Sequence, residues 1–88
     1  MPELTEIYEA SLAKWGVEGQ YDQAIEECAE LITALLHLRR QRVDDEHVIA
    51  ELADVTLMVG QLTYMFGAER VAKAKADKVA KLKVLLST

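Results

Sequence analysis

The chain predicts an all-α fold: a four-helix bundle whose core is completed by oligomerisation. Three observations point there. Apolar residues recur every three to four positions from end to end, with no sustained alternation of the strand type. Punctuation is sparse, with one proline, Pro2, and four glycines, Gly16, Gly19, Gly60 and Gly67. The 88 residues make one small domain, 1–88. A domain of that size buries only about 60% of its unfolded surface, so a lone core is marginal and a second copy is a natural remedy.

A short first helix is expected from about Glu3 to Lys14, stopped by a turn at Trp15-Gly16. A long second helix follows from about Gln20 to Arg42. Stepping about 100° per residue, it has one broad apolar arc: Ala24, Ile25, Cys28, Leu31, Ile32, Leu35 and Leu38. Arg39, Arg40 and Arg42 suit a helix C-terminus, where cations favour the dipole. Asp44 and Asp45 are N-cap candidates for a third helix ending at Phe66, just before Gly67. Its arc is Val48, Leu52, Val55, Met58, Val59, Leu62, Met65 and Phe66. A weaker stripe on the same helix, Ile49, Ala53, Leu57, Gly60 and Tyr64, is expected to be a subunit interface. The fourth helix runs from about Ala68 to Leu86. Val71, Val79, Leu82, Leu85 and Leu86 form its arc, with Lys75 and Lys78 projecting from within it. The loops are short, so neighbours should lie antiparallel.

Composition narrows the function. Hydrophobic content of 51% suits a globular fold and argues against disorder. Cys28 is the single cysteine, so no internal disulfide can form, which fits a reducing cytoplasm. Its place in the middle of an aliphatic arc reads as inert core. No signal peptide is expected. The longest apolar runs fall short of the roughly 20 residues that span a bilayer, so no membrane partner is expected. A net charge of −5 disfavours a nucleic-acid polymer. A nucleotide substrate is compatible with it, because a metal can bridge carboxylates to phosphates.

Two acidic signatures carry the chemistry: Glu26-Glu27-x-x-Glu30 and, 20 residues further on, Glu51-x-x-Asp54. Spacings of three and four stack side chains on one helix face, so each signature presents a carboxylate cluster. Like charges that close repel unless a cation lies between them. Two clusters on adjacent antiparallel helices would form an oxygen-rich cage for a hard cation such as Mg²⁺. On the wheels Glu51 falls inside its arc, Glu27 and Asp54 lie at the edges, Glu30 a little further round, and Glu26 points away. A carboxylate in an apolar stripe is costly unless paired, protonated or metal-bound. Plainer readings stand beside this one. The acids can be a solvated face, or Glu51 can pair with Lys75 or Lys78, whose long stems can also snorkel along apolar surface. His37 and His47 read as plain, lacking the spacing of di-iron bundles. Trp15 and Tyr64 can stack a base, and Trp15 can equally plug a core end.

With both signatures in place, the chain resembles the MazG-like family of all-α nucleotide pyrophosphohydrolases. The pattern of that family, EExxE then ExxD, reads here Glu26-Glu27-Cys28-Ala29-Glu30 and Glu51-Leu52-Ala53-Asp54. The flanks Lys14-Trp15-Gly16, Ala24-Ile25 and Ile49-Ala50, the pairs Gln61-Leu62 and Phe66-Gly67, and the lysine-rich last helix extend the likeness over residues 13–86. The resemblance implies Mg²⁺-dependent hydrolysis of nucleoside triphosphates between the α and β phosphates, with Mn²⁺ as a substitute ion and assembly as a homodimer or homotetramer. It implies Glu27, Glu30, Glu51 and Asp54 as metal ligands. Glu26 would orient water or a second metal, and Glu26 or Glu27 would act as general base. Lys75 and Lys78 would engage phosphate oxygens, and Trp15 would help form the substrate pocket. Rival readings are phosphoribosyl-ATP pyrophosphatase, the dimeric dUTPases, and a non-catalytic helical interaction module.

Overall fold

The helical periodicity is realised in three α-helices, with no strand among the described residues, 3–88, of the computed structural model. Pro2 lies outside those residues. The helices are α1 (Leu4–Arg39), α2 (Asp45–Phe66) and α3 (Ala68–Leu86). The expected first and second helices are thus one element. The turn at Gly16 is present as a kink, with non-helical backbone at φ 77° and ψ 170°. Helical hydrogen bonding resumes at once, so Val17, Glu18 and Gly19 belong to the helix and no loop separates the arm, residues 4–15, from the body, 17–39.

The other boundaries have local causes. α1 stops at Arg39 rather than Arg42 because Gln41 adopts a left-handed conformation, φ 58°. The N–H groups of Gln41 and Arg42 then donate to the carbonyls of Leu38 and His37, satisfying the last turn. Asp44 caps α2 as expected, its carboxylate accepting from the His47 N–H at 3.2 Å. Gly67 closes α2 and leads straight into α3.

The body of α1 and α2 form an antiparallel hairpin. Its seam is Gln20, Ala24, Glu27, Leu31, Ala34 and Leu38 against Val48, Glu51, Val55, Met58, Leu62 and Met65, all buried or half-buried. These positions alternate by three and four, the spacing that keeps two helices in register. The seam takes three of the seven residues of the expected α1 arc and five of the eight of the α2 arc. Ile25, Cys28, Ile32 and Leu35 are exposed, as are Leu52, Val59 and Phe66. The expectation of a buried, inert Cys28 is therefore corrected: its thiol side faces outward. α2 has the length and apolar composition of a weak membrane-spanning candidate, yet Glu51 and Asp54 stand at mid-length and its seam residues pack on α1.

The arm lies against the other side of α2. The Gln61 side-chain amide donates to the Tyr8 carbonyl at 2.9 Å, and the Gln20 amide to the Ser11 carbonyl at 3.1 Å. Both glutamines are buried, so each stitches arm to hairpin where water does not compete. Tyr8 packs against Tyr64, ring centroids 6.5 Å apart, and its phenol rests where a Gly60 side chain would stand. Of the stripe expected to meet another subunit, Gly60 and Tyr64 are covered by the arm of the same chain, while Ile49, Ala53 and Leu57 are exposed. α3 touches α2 alone and buries no residue, so no closed four-helix bundle forms within one chain.

Gly16 is the hinge of this arrangement. Its φ and ψ lie in a region open essentially to glycine, and a Cβ there would meet nothing within 4 Å. Gly16→Ala is thus expected to destabilise through backbone strain alone, by about 1–3 kcal/mol. Thermal unfolding checks the loss, and Trp15 fluorescence checks whether the arm swings out.

Candidate metal centre

Seam periodicity decides where the acids go. Glu27 follows Ala24 by three residues and Glu51 follows Val48 by three, so both occupy seam positions. Their helix neighbours at i+3, Glu30 and Asp54, stand at the seam's rim. The antiparallel register brings the two pairs together. One ligand atom from each of Glu27, Glu30, Glu51 and Asp54 falls in a group whose members all lie within 4.8 Å of one another. Glu27 and Glu51 are half-buried, Glu30 and Asp54 exposed. Glu26 lies outside the group, on an open groove shared with Ala29, Glu30, Thr33, His47 and Glu51.

The electrostatics are those of four carboxyl groups held close together. Partial burial, then Glu30 and Asp54, push the Glu27 carboxyl above its ordinary 4.5, against the Gln23 amide, which donates to Glu27 Oε1 at 2.6 Å. Burial, then Glu51 and Glu26, push Glu30 up as well. Glu27 Oε2 and Glu51 Oε2 are buried with no hydrogen-bond partner. Leaving a buried acceptor unmatched costs free energy, and a cation is what two orphaned carboxylate oxygens lack. The residues fit such an ion: the donors are all oxygen, and ligands on opposite sides of a Mg²⁺ or Ca²⁺ ion are about 4–5 Å apart. The alternative pairing of Glu51 with Lys75 or Lys78 is not made. The one ion pair among the described residues is Lys73–Asp77, at 3.5 Å on α3.

Beside the carboxylates is a cavity of about 440 Å³ between arm and hairpin, lined by Ile7, Tyr8, Ser11, Trp15, Gly19, Gln20, Gln23, Leu57, Met58 and Gln61. Gln23 joins the two features, lining the cavity while holding Glu27. Trp15 is an exposed indole at the cavity wall rather than a core plug, and the cavity meets the carboxylate site through Gln23. No family model, curated protein or solved structure matches the chain. The resemblance to MazG-like enzymes accordingly rests on the motif residues and on where the fold puts them.

Lys75 and Lys78 are not brought to this site within the chain. Both are exposed on α3, and α3 does not approach α1, which holds Glu26, Glu27 and Glu30. Three contributors escape a reading of the motifs: Gln23, His47 and Tyr8. Gln23 and His47 precede Glu27 and Glu51 by four residues, and that helical spacing is the signal that points to them. Tyr8 is placed by the expected turn at Gly16, but its contact with Gly60 and Tyr64 joins segments distant in sequence and no motif announces it.

The pH dependence has a definite sign. Glu27 and Glu30 bind protons more tightly in the fold than in the unfolded chain. Their contribution is therefore fully stabilising below the ordinary 4.5 and is lost as pH rises through the raised values. Glu30→Gln removes the repulsion. With chelator present it should raise the melting temperature at about pH 7 and change it little at about pH 4. A lower melting temperature at the higher pH would contradict the electrostatic reading.

Proposed function

We propose that the chain is a Mg²⁺-dependent, MazG-like pyrophosphohydrolase of the cytoplasm that cleaves (deoxy)nucleoside triphosphates between the α and β phosphates. The products are a nucleoside monophosphate and pyrophosphate. The observation that carries this reading is the single carboxylate cluster, within 4.8 Å, assembled from the two signatures. The adjoining cavity supports it, having the size and mixed lining of a small-ligand site.

Glu27, Glu30, Glu51 and Asp54 would hold the cation, with Mn²⁺ able to replace Mg²⁺. When bound, it neutralises phosphate charge and stabilises the departing pyrophosphate. The remaining work belongs to the chain. Gln23 fixes the rotamer of Glu27 by its hydrogen bond, so the carboxylate meets its ligand already oriented. Glu26, exposed on the open groove beside Glu30, or Glu27 would accept the proton of the attacking water. Trp15 offers a flat face for a base, and the cavity's apolar wall keeps water from that end of the substrate. Lys75 and Lys78 serve phosphate oxygens from the α3 of another copy in a homodimer or homotetramer, because in one chain they stand apart from the cluster.

Three outcomes test the reading. Turnover over a panel of nucleoside triphosphates should release pyrophosphate only with Mg²⁺ or Mn²⁺; orthophosphate release would mean a different bond is cut. Glu51→Gln should abolish turnover with helicity unchanged, and should lose the Mg²⁺-dependent rise in melting temperature that binding to the native state produces. Trp15→Ala should raise KM roughly 5- to 100-fold, the worth of one base–aromatic stack, with kcat less affected.

A further inference from the structure

Cavity, carboxylates and groove follow one another in a line along the hairpin. On α1, Gln20 and Gln23 line the cavity, Glu27 and Glu30 enter the cluster, and Thr33 lines the groove. On α2 the antiparallel order is Gln61 and Met58, then Asp54 and Glu51, then His47. At the helical rise, Gln23 to Thr33 covers about 15 Å. The two ends differ in chemistry. The cavity lining is uncharged and carries Tyr8 and Trp15. The groove, about 370 Å³, is lined by Glu26, Ala29, Glu30, Thr33, His47 and Glu51. Ionised carboxylates only accept hydrogen bonds. The Thr33 hydroxyl already donates to the Ala29 carbonyl at 3.1 Å. That leaves His47 as the free donor on the groove. Its backbone N–H is held by the Asp44 cap, but its imidazole makes no hydrogen bond or ion pair among the described residues. A step of about 100° per residue turns Asp45 and Glu46 of the same helical turn away, and neither lines the groove.

We infer that a bound nucleotide lies along this line with its base in the cavity and its β and γ phosphates over the groove, where the His47 imidazole N–H donates to a phosphate oxygen. This rests on the proposed function and adds to it the direction of the substrate and a residue that binds its tail. Charge fixes the direction. A phosphate tail turned into the cavity would meet no charged group at all, and burying it there is costly. The orphaned oxygens Glu27 Oε2 and Glu51 Oε2 place a cation between the two ends. Beyond it the tail meets Glu26, which stands outside the cluster, so a donor is needed there. His47 is that donor. A neutral imidazole carries one N–H, so the contact needs no change of protonation.

Titration calorimetry on the full chain tests this without turnover. Inorganic pyrophosphate, added with Mg²⁺ present, stands in for the β and γ phosphates. His47→Ala should weaken its binding about 10- to 100-fold, the worth of a hydrogen bond to a charged group. His47→Gln keeps an N–H donor and should recover most of the loss. Mg²⁺ alone, and a nucleoside monophosphate whose single phosphate stops at the cluster, should bind His47→Ala as they bind the unaltered chain. Equal pyrophosphate affinity with and without the imidazole would overturn the inference and leave the metal centre standing. So would an unaltered chain that binds Mg²⁺ but not pyrophosphate. Loss of Mg²⁺ or monophosphate binding by the same factor in His47→Ala would also overturn it, because the side chain would then be structural. An unaltered chain that binds no Mg²⁺ would remove the proposed function, and this inference with it.

Discussion

Glu27 and Glu51 stand in the α1–α2 seam at positions that a pair of aliphatic side chains would fill, each with one buried oxygen left unmatched. Every other feature of the molecule can be read against that cost. The helices are held in register by the three-and-four spacing on either side of the acids, through Ala24, Leu31 and Ala34 facing Val48, Val55 and Met58. Those contacts are few and several are made by small residues, so the hairpin tolerates the like charges without gaining from them. A cation between the carboxylates would turn the weakest part of the seam into its strongest. Fold stability and ligand binding are thereby coupled at the same four side chains.

The arm supplies what the hairpin lacks on the side where the carboxylates open. Because Gly16 bends the chain and Gln20 and Gln61 hold the arm by its backbone carbonyls, Tyr8 lies over α2 and Trp15 lines the cavity between arm and hairpin. The bend is what creates a cavity beside the cluster. Placing two buried amides on backbone carbonyls, rather than relying on packing alone, sets the arm in one position along α2. Gly60 is part of the same device, since a Cβ there would meet the ring of Tyr8. The opposite side of the hairpin, by contrast, has apolar rows and nothing over them.

Much of this was legible in the sequence. The periodicity predicts helices, Asp44 predicts the start of α2, Gly67 predicts its end, and the two signatures predict a four-carboxylate group that the antiparallel register assembles. What was not legible depends on contacts between segments distant in sequence. A helical wheel shows one broad arc on α1 and cannot say that Ala24 and Leu31 face the seam while Ile25 and Cys28 face out. That division is made by the partner helix. The far end of the stripe Ile49, Ala53, Leu57, Gly60 and Tyr64 is covered because the kink at Gly16 lays Tyr8 across Gly60 and Tyr64. Gln41 in a left-handed conformation shortens α1 by closing its last turn three residues early, without any glycine to signal it. Lys75 and Lys78 look inward on a wheel, yet α3 stands clear of α1, so periodicity alone does not give them a partner.

The central claim is that one cation sits among Glu27, Glu30, Glu51 and Asp54. Crystals grown with Mn²⁺ and measured at the manganese absorption edge test it most directly. The claim predicts an anomalous peak about 2.0–2.3 Å from an oxygen of each of the four carboxylates. No peak there in well-ordered crystals, or a peak elsewhere on the chain with the cluster left bare, would contradict it.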